Sequence, residues 1–343
     1  MSVALRPLQD VRPSDEPELW SGYNDPRGGG IRHNLSRAEM SRILTAGEGT
    51  LWVDVDTRDP DDISILSEVF HFHPLAIEEA TNPQSRVKLE EYDTYLLLIV
   101  RTVAFCETTD DPYDLDTVNI SFFLGKNYLV TVHGGETNPV AATVDLLQRK
   151  PELIGHGPAK LMHTIVDQAV DAYFPIIDQV DEFMDSLEEK IFASFDQTVL
   201  REVFAVKRLV LNLRRHLAPE RDALSILTNR PSTLLSTETQ IYFRDIYDHV
   251  LRIYDSLETF RDLLSSTLDS YLTQVSNRLG MATKALSVVA TVTLPFVVVS
   301  GMWGMNFEHI PLHSHPHGFM ILVFSQLALG LLILAGIKWL KLL

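Results

Sequence analysis

Two uncharged stretches near the end of this chain restrict its fold more than any other feature. The 21 residues from Ala285 to Met305 and the 20 from Gly318 to Ile337 contain no Asp, Glu, Lys or Arg. A bilayer core about 30 Å thick is crossed by roughly 20 apolar residues in a helix. One such stretch is compatible with a buried helix of a soluble protein, but two, adjacent and terminal, read as a pair of membrane spans. Arg278 and Lys284 lie at the start of the first, Lys338 and Lys341 follow the second, and the twelve residues between them hold no Lys or Arg. The positive-inside rule then places both ends in the cytoplasm and the short loop outside, in the cell's inner (plasma) membrane. Pro295 bends a helix, and Gly301 and Gly304 admit close helix approach. A plain anchor needs none of these.

The last 64 residues sum to +2, so the formal −17 of the chain leaves −19 on the first 279. Such acidity argues against nucleic acid as a partner, because phosphates need Lys and Arg. It suits cations, and equally a simply solvated surface. The single Cys106 excludes an intrachain disulfide framework and a cysteine-based zinc site. The opening "MSVALRPLQDVRPSDEPEL" has no apolar signal segment, so the N-terminal body is expected to stay in the cytosol.

That body reads as an α+β cytosolic domain over 46–157, after a Pro-, Gly- and charge-rich lead-in over 1–45. Its β-rich runs are "TLWVDVD" (50–56), "TYLLLIVRTVAF" (94–105), "TVNISFFLG" (117–125) and "NYLVTVH" (127–133), the last two joined by a short hairpin. Helical patterns cover 60–82 and 138–149. An antiparallel helix pair is expected over 158–235: an acid-faced helix over 160–192, then one over about 196–228 carrying Arg201, Lys207, Arg208, Arg214 and Arg215. From Thr237 to Val299 only Pro295 interrupts the helical pattern, which gives a stalk of roughly 60 residues, about 90 Å long. The expected order is then a stalk and first span over 236–303, a loop over 304–317, a second span over 318–338 and a tail over 339–343.

No enzyme motif is present: there is no P-loop, no G-x-G-x-x-G after a strand, no H-E-x-x-H and no G-x-S-x-G. "RGGGIR" (27–32) reads as a loop, and the histidines of "HFHP" (71–74) would face apart on a helix. Glu78-Glu79 and Glu90-Glu91 are ordinary surface pairs. The expectation is a protein that is not an enzyme.

The stretch "WGMNFEHIP" (303–311), at the outer end of the first span, resembles the GMN signature of the CorA magnesium/cobalt transporters. "YFRDIYDHVLRIYDSLETFRDLLSSTLDSYLTQVSNRLG" (242–280) is similar to that family's stalk helix, and the order of parts matches along the whole chain. The resemblance implies a homopentamer in the lipid bilayer, with the stalk-and-span helices around one axial pore. Gly304, Met305 and Asn306 match the signature and would form the pore mouth, with Glu308 beside it attracting cations. Mg²⁺ dehydrates reluctantly, so neutral Asn306 carbonyls suit it by hydrogen-bonding its water shell. Asn306 also fits the end of a helix. The family's pore face falls on Gly280, Thr283, Leu286, Leu294, Val297 and Gly301, one helical stripe that a lipid-facing or packing role also explains. Leu286 and Leu294 would be the constrictions. Gly280 stands where the family often has a polar ring, and Val297 where a hydroxyl is common.

The resemblance also implies cytosolic Mg²⁺ sensing between protomers, by Asp245 of "YFRDIYDH" and by Glu79, where Asp is usual. His313, His315 and His317 alternate in the loop, either as transition-metal ligands or as interfacial polar residues of a turn. The expected cargo is Mg²⁺, with Co²⁺ or Ni²⁺ beside it. Two alternatives stand: a ZntB-like zinc transporter, favoured by imidazole's taste for Zn²⁺ but opposed by the intact GMN, and a membrane-anchored scaffold without transport.

Overall fold

The computed structural model describes residues 19–339 apart from 27, 29, 107, 136–137, 194–196, 306–310 and 313–314. The elements run β1 (Ser21–Asn24), β2 (Ile31–His33), α1 (Arg37–Ala46), β3 (Thr50–Asp56), α2 (Pro60–Glu68), α3 (Pro74–Thr81) and β4 (Lys88–Glu91). Then come β5 (Tyr95–Phe105), β6 (Leu115–Gly125), β7 (Tyr128–His133), α4 (Asn138–Arg149) and a 3-10 turn at Pro151–His156. Among the described residues five helices follow: α5 (Pro158–Asp171), α6 (Tyr173–Ala193), α7 (Gln197–Asn229), α8 (Thr237–Trp303) and α9 (Gly318–Trp339). Two compact units result, Met1–Leu264 and Ser265–Leu343.

The first unit is built on a seven-stranded sheet of order β2-β1-β3-β7-β6-β5-β4. Only β3 and β7 pair in parallel, from Leu51↔Tyr128 to Asp56↔His133. The long hairpin β5–β6 pairs at every residue from Tyr95↔Gly125 to Phe105↔Leu115. One face of the sheet presents Leu51, Val53, Val55, Leu97, Ile99, Phe123, Val130 and Val132 to Met40, Ile65, Leu66, Phe72 and Ala76 of the neighbouring helices and loops. The other carries α5, α6 and α7. Because both faces are covered, the strands read as nearly continuous apolar runs rather than alternating ones.

Differences from the sequence reading have local causes. The 1–45 lead-in contains β1, β2 and most of α1, with the sheet extended by strands of four and three residues. The helical pattern over 60–82 breaks at 69–73, where His71 takes φ 54°. His73 instead caps α3, its Nδ1 accepting from Leu75 N–H at 3.2 Å. The pattern over 160–192 divides at Ala172, because Pro175 removes an N–H and its ring opposes the carbonyl of Asp171. The α6–α7 pair is held chiefly by apolar faces, including the buried Val180, Met184, Leu187, Val203, Val206 and Val210. Lys190–Glu202 is the ion pair between them among the described residues.

Candidate functional site

The helix α8, 67 residues long, carries two sets of candidate residues, one in each unit. In the second unit its C-terminal part and α9 are each long and apolar enough to cross a membrane. Partly shielded positions on this part of α8 are Val288, Val292, Pro295, Phe296, Val299 and Trp303. That spacing of three and four makes one helix face, and Phe296 lies directly against α9 at Gly330. At 3.6 residues per turn, Gly280, Thr283, Leu286, Leu294, Val297 and Gly301 centre about half a turn away. All six are exposed, Leu286 at 70%, Leu294 at 65% and Val297 at 61%. The chain's own second span therefore leaves this stripe free for another neighbour.

Gly330 is a requirement of that packing. A Cβ there would come 2.8 Å from Phe296 Cζ, closer than real Cβ contacts allow. Gly330→Ala is expected to cost about 1–3 kcal/mol through overpacking. The check is thermal unfolding of the solubilised protein: Gly330→Ala lowers the midpoint, and adding Phe296→Ala in the same chain recovers part of the loss.

At the end of α8 the backbone turns out of the helix. Gly304 N–H donates to Ser300 O at 3.0 Å and Met305 N–H to Met302 O at 3.3 Å, leaving both residues exposed. Asn306, Glu308 and His313 lie outside the described residues. His315 Nδ1 accepts from His317 N–H at 3.2 Å, and the two rings stand 6.1 Å apart, centroid to centroid. One nitrogen of His315 thus serves the turn.

In the first unit, Glu79 at the end of α3 is ion-paired with Lys88 of β4, which also bonds Glu90 at 2.8 Å. Asp245 is exposed on α8. The residues that converge are ones the sequence reading passed over. Asp167 and Asp171, one turn apart on α5, meet His249 of α8, with one ligand atom of each within 4.8 Å of the others. His249 lies one turn after Asp245, so each helix supplies an i, i+4 pair. His249 Nδ1 is buried without a hydrogen bond, 3.6 Å from Asp171 Oδ1. Burial, then the Asp171 carboxylate, push the Asp167 carboxyl above its ordinary value, and Asp245 adds to this. His163, a turn earlier on α5, is pushed down to about 4 by burial and by Lys160. Two carboxylates and an imidazole nitrogen make a donor set for a divalent cation, and an acid pair in "VDQAVD" with "DIYDH" was the available signal.

Comparison with known proteins shows the family and the fold. Residues 47–340 match the family described as CorA-like Mg²⁺ transporter protein. The chain is 32% identical over 301 residues to the putative metal ion transporter YfjQ of Bacillus subtilis, covering 87% of this chain and 92% of that one. It is 30% identical over 265 residues to the cobalt/magnesium transport protein CorA of Thermotoga maritima, covering 76% of this chain and 74% of the other. In fold it superposes on the CorA magnesium transporter of Methanocaldococcus jannaschii with a TM-score of 0.78 at 19% identity, covering 94% of this chain and 98% of that one.

Proposed function

This chain belongs to the CorA-like Mg²⁺ transporter family, and from that premise we propose that it conducts divalent cations across the inner membrane. The assembly is a homopentamer with both termini in the cytoplasm. Mg²⁺ is the principal cargo and Co²⁺ a second, as the name of the Thermotoga maritima relative supports. Ni²⁺ follows on ligand chemistry. The observation that carries this reading is the exposed stripe on α8 directly opposite the face that packs on α9. Five copies that turn this stripe inward surround an axis with Leu286 and Leu294 as apolar constrictions, which close by dewetting. The mouth is Gly304, Met305 and Asn306, where hydrated Mg²⁺ exchanges hydrogen bonds without losing its inner waters. Glu308 raises the local cation concentration. His315 and His317 serve the loop's turn, as the hydrogen bond between them supports, and we assign no metal to the loop histidines.

Cytosolic Mg²⁺ regulates the pore by binding carboxylates that otherwise repel. Asp245 is one of them, and Asp167, Asp171 and His249 extend its site along the same pair of helices. Glu79 joins it from another protomer, and the bound cation then replaces Lys88 as its partner. Binding favours the closed arrangement, and its loss shifts the population toward the open one.

Competition among Mg²⁺, Co²⁺, Ni²⁺ and Zn²⁺ for uptake into vesicles tests the cargo, and native mass spectrometry tests the fivefold assembly. The regulatory site makes a separate expectation. Because the Asp167 carboxyl takes up its proton above the ordinary carboxylate range, protons and cation compete there as pH falls. Mg²⁺ affinity by titration calorimetry is expected to fall as pH is lowered toward the carboxylate range. Asp167→Asn, already neutral at that position, should bind weakly and show a flatter pH dependence.

A further inference from the structure

Outside the ion path, the first unit buries a carboxyl group that transport does not use. Glu220 on α7 has no exposed surface. Its Oε1 accepts one hydrogen bond, from the backbone N–H of Arg101 on β5 at 3.1 Å, and its Oε2 is buried without a partner. The Arg101 guanidinium makes its hydrogen bonds elsewhere. Nε donates to Asn119 Oδ1 at 2.7 Å, Nη2 to Ser85 O at 3.0 Å, and Nη1 to His216 Nδ1 at 2.9 Å. From α6, the buried Tyr173 hydroxyl donates to Arg101 O at 3.0 Å and lies within hydrogen-bond reach of Glu220.

This inventory decides the protonation state. A carboxylate offers acceptor sites only, and a buried one needs several donors. A carboxylic acid carries its own donor, and the Tyr173 oxygen, whose proton is already directed at Arg101 O, can accept it. The charged and titratable groups that face Glu220 are Arg101 from β5 and Tyr173 from α6; on α7 itself, His216 reaches it through Arg101.

We propose that Glu220 is a proton-binding site, held as a neutral carboxylic acid at cytosolic pH, whose ionisation loosens α7 from β5. An adjoining face of α7, about 100–120° around the helix from Glu220, supports the stalk: Arg214 Nη2 pairs with Glu258 of α8 at 2.8 Å, and Arg221 lies 4.8 Å from the Tyr254 ring centroid. Arg221 adjoins Glu220 in sequence, so alkalinisation is transmitted to the footing of α8. Burial pushes the carboxyl up from 4.5 to about 8, outweighing the Arg101 N–H, the Tyr173 hydroxyl and the Arg101 charge, each of which favours the charged form. With the folded value raised, the stabilisation is full below about 4.5 and is lost as pH rises through about 8.

The test uses the full chain in lipid nanodiscs. Infrared spectra at pH about 7 are expected to show a protonated-carboxyl stretching band that shifts when glutamate carboxyls carry ¹³C and titrates away near pH 8. Glu220→Gln should remove that band. Hydrogen exchange of α7 and of the Arg101 amide, corrected for base catalysis, should accelerate in the wild type by up to about tenfold per pH unit as pH rises toward that midpoint and level off above it, with no such rise in Glu220→Gln. Absence of the glutamic-acid band from the wild type overturns the proposal without any variant. Acceleration that persists unchanged in Glu220→Gln overturns it as well. Neither outcome bears on cation transport, which is measured separately.

Discussion

Replacing Asn306 by alanine is expected to lower Mg²⁺ flux at least about tenfold while leaving the oligomer and its thermal stability unchanged. On the proposed reading a hydrated Mg²⁺ at the mouth would be held through its waters, so each carbonyl would contribute a hydrogen bond worth about 0.5–1.5 kcal/mol. Around a symmetric mouth several such bonds are lost together, and 1.4 kcal/mol already corresponds to about a factor of ten. Alanine keeps the backbone turn begun at Gly304 and Met305 and removes only the amide. Asn306→Asp separates this account from simple attraction of charge. It should bind cations more tightly at the mouth and release them more slowly, so that flux saturates at lower Mg²⁺ and reaches a lower maximum. Flux by Asn306→Ala equal to wild type would show that the mouth is elsewhere.

The second large effect belongs to Leu294. In the proposed pore, a ring of exposed leucines would hold the path shut by expelling water, and a ring of hydroxyls would admit it. Burying or exposing a leucine side chain is worth about 1.5–3 kcal/mol. If the barrier falls by only about 1.4 kcal/mol, basal flux rises tenfold. Leu294→Ser is therefore expected to leak at least about tenfold more Mg²⁺ when the cytosolic side is saturated with Mg²⁺. The control is Val289→Ser, also exposed at 61% but about 140° around the helix from Leu294, counting 3.6 residues per turn. It should not leak. If both variants leak equally, the stripe has no special direction and serves lipid or packing instead.

The membrane pair and the stalk were legible because their signals are long and uninterrupted: helical periodicity over dozens of residues, and spans free of charge. The four long strands were legible from β-rich composition, and each was found within two residues of its expected bounds. β1 and β2 were not, since "SGYN" and "IRH" are too short and too polar to show a period. β4, "KLEE", is an edge strand whose charges blunt the exposed edge and hide its pattern. The α5–α6 break was visible in Pro175, but continuous apolar spacing on both sides of it suggested one helix.

The candidate site divides in the same way. The stripe on α8 is a property of one helix and can be read from one period. The Asp167–Asp171–His249 cluster joins two helices far apart in sequence, and only the packing of α5 beside α8 brings it together. Asp245 was identified through resemblance, whereas its neighbours needed coordinates. Glu220 lies in "APERDAL", where the flanking charges suggest an ordinary solvated surface. Its burial results from how α7 lies on β5, which no local pattern encodes.

Mg²⁺ influx into liposomes containing only this chain, followed with a trapped Mg²⁺-sensitive dye, tests the central claim most directly. The predicted result is rapid influx down the Mg²⁺ gradient when the medium bathing the cytosolic domains is free of Mg²⁺. Influx should slow severalfold when Mg²⁺ is supplied on that side, and Co²⁺ outside should compete. Liposomes whose influx equals that of protein-free vesicles, with the chain shown to be folded and inserted, would contradict it.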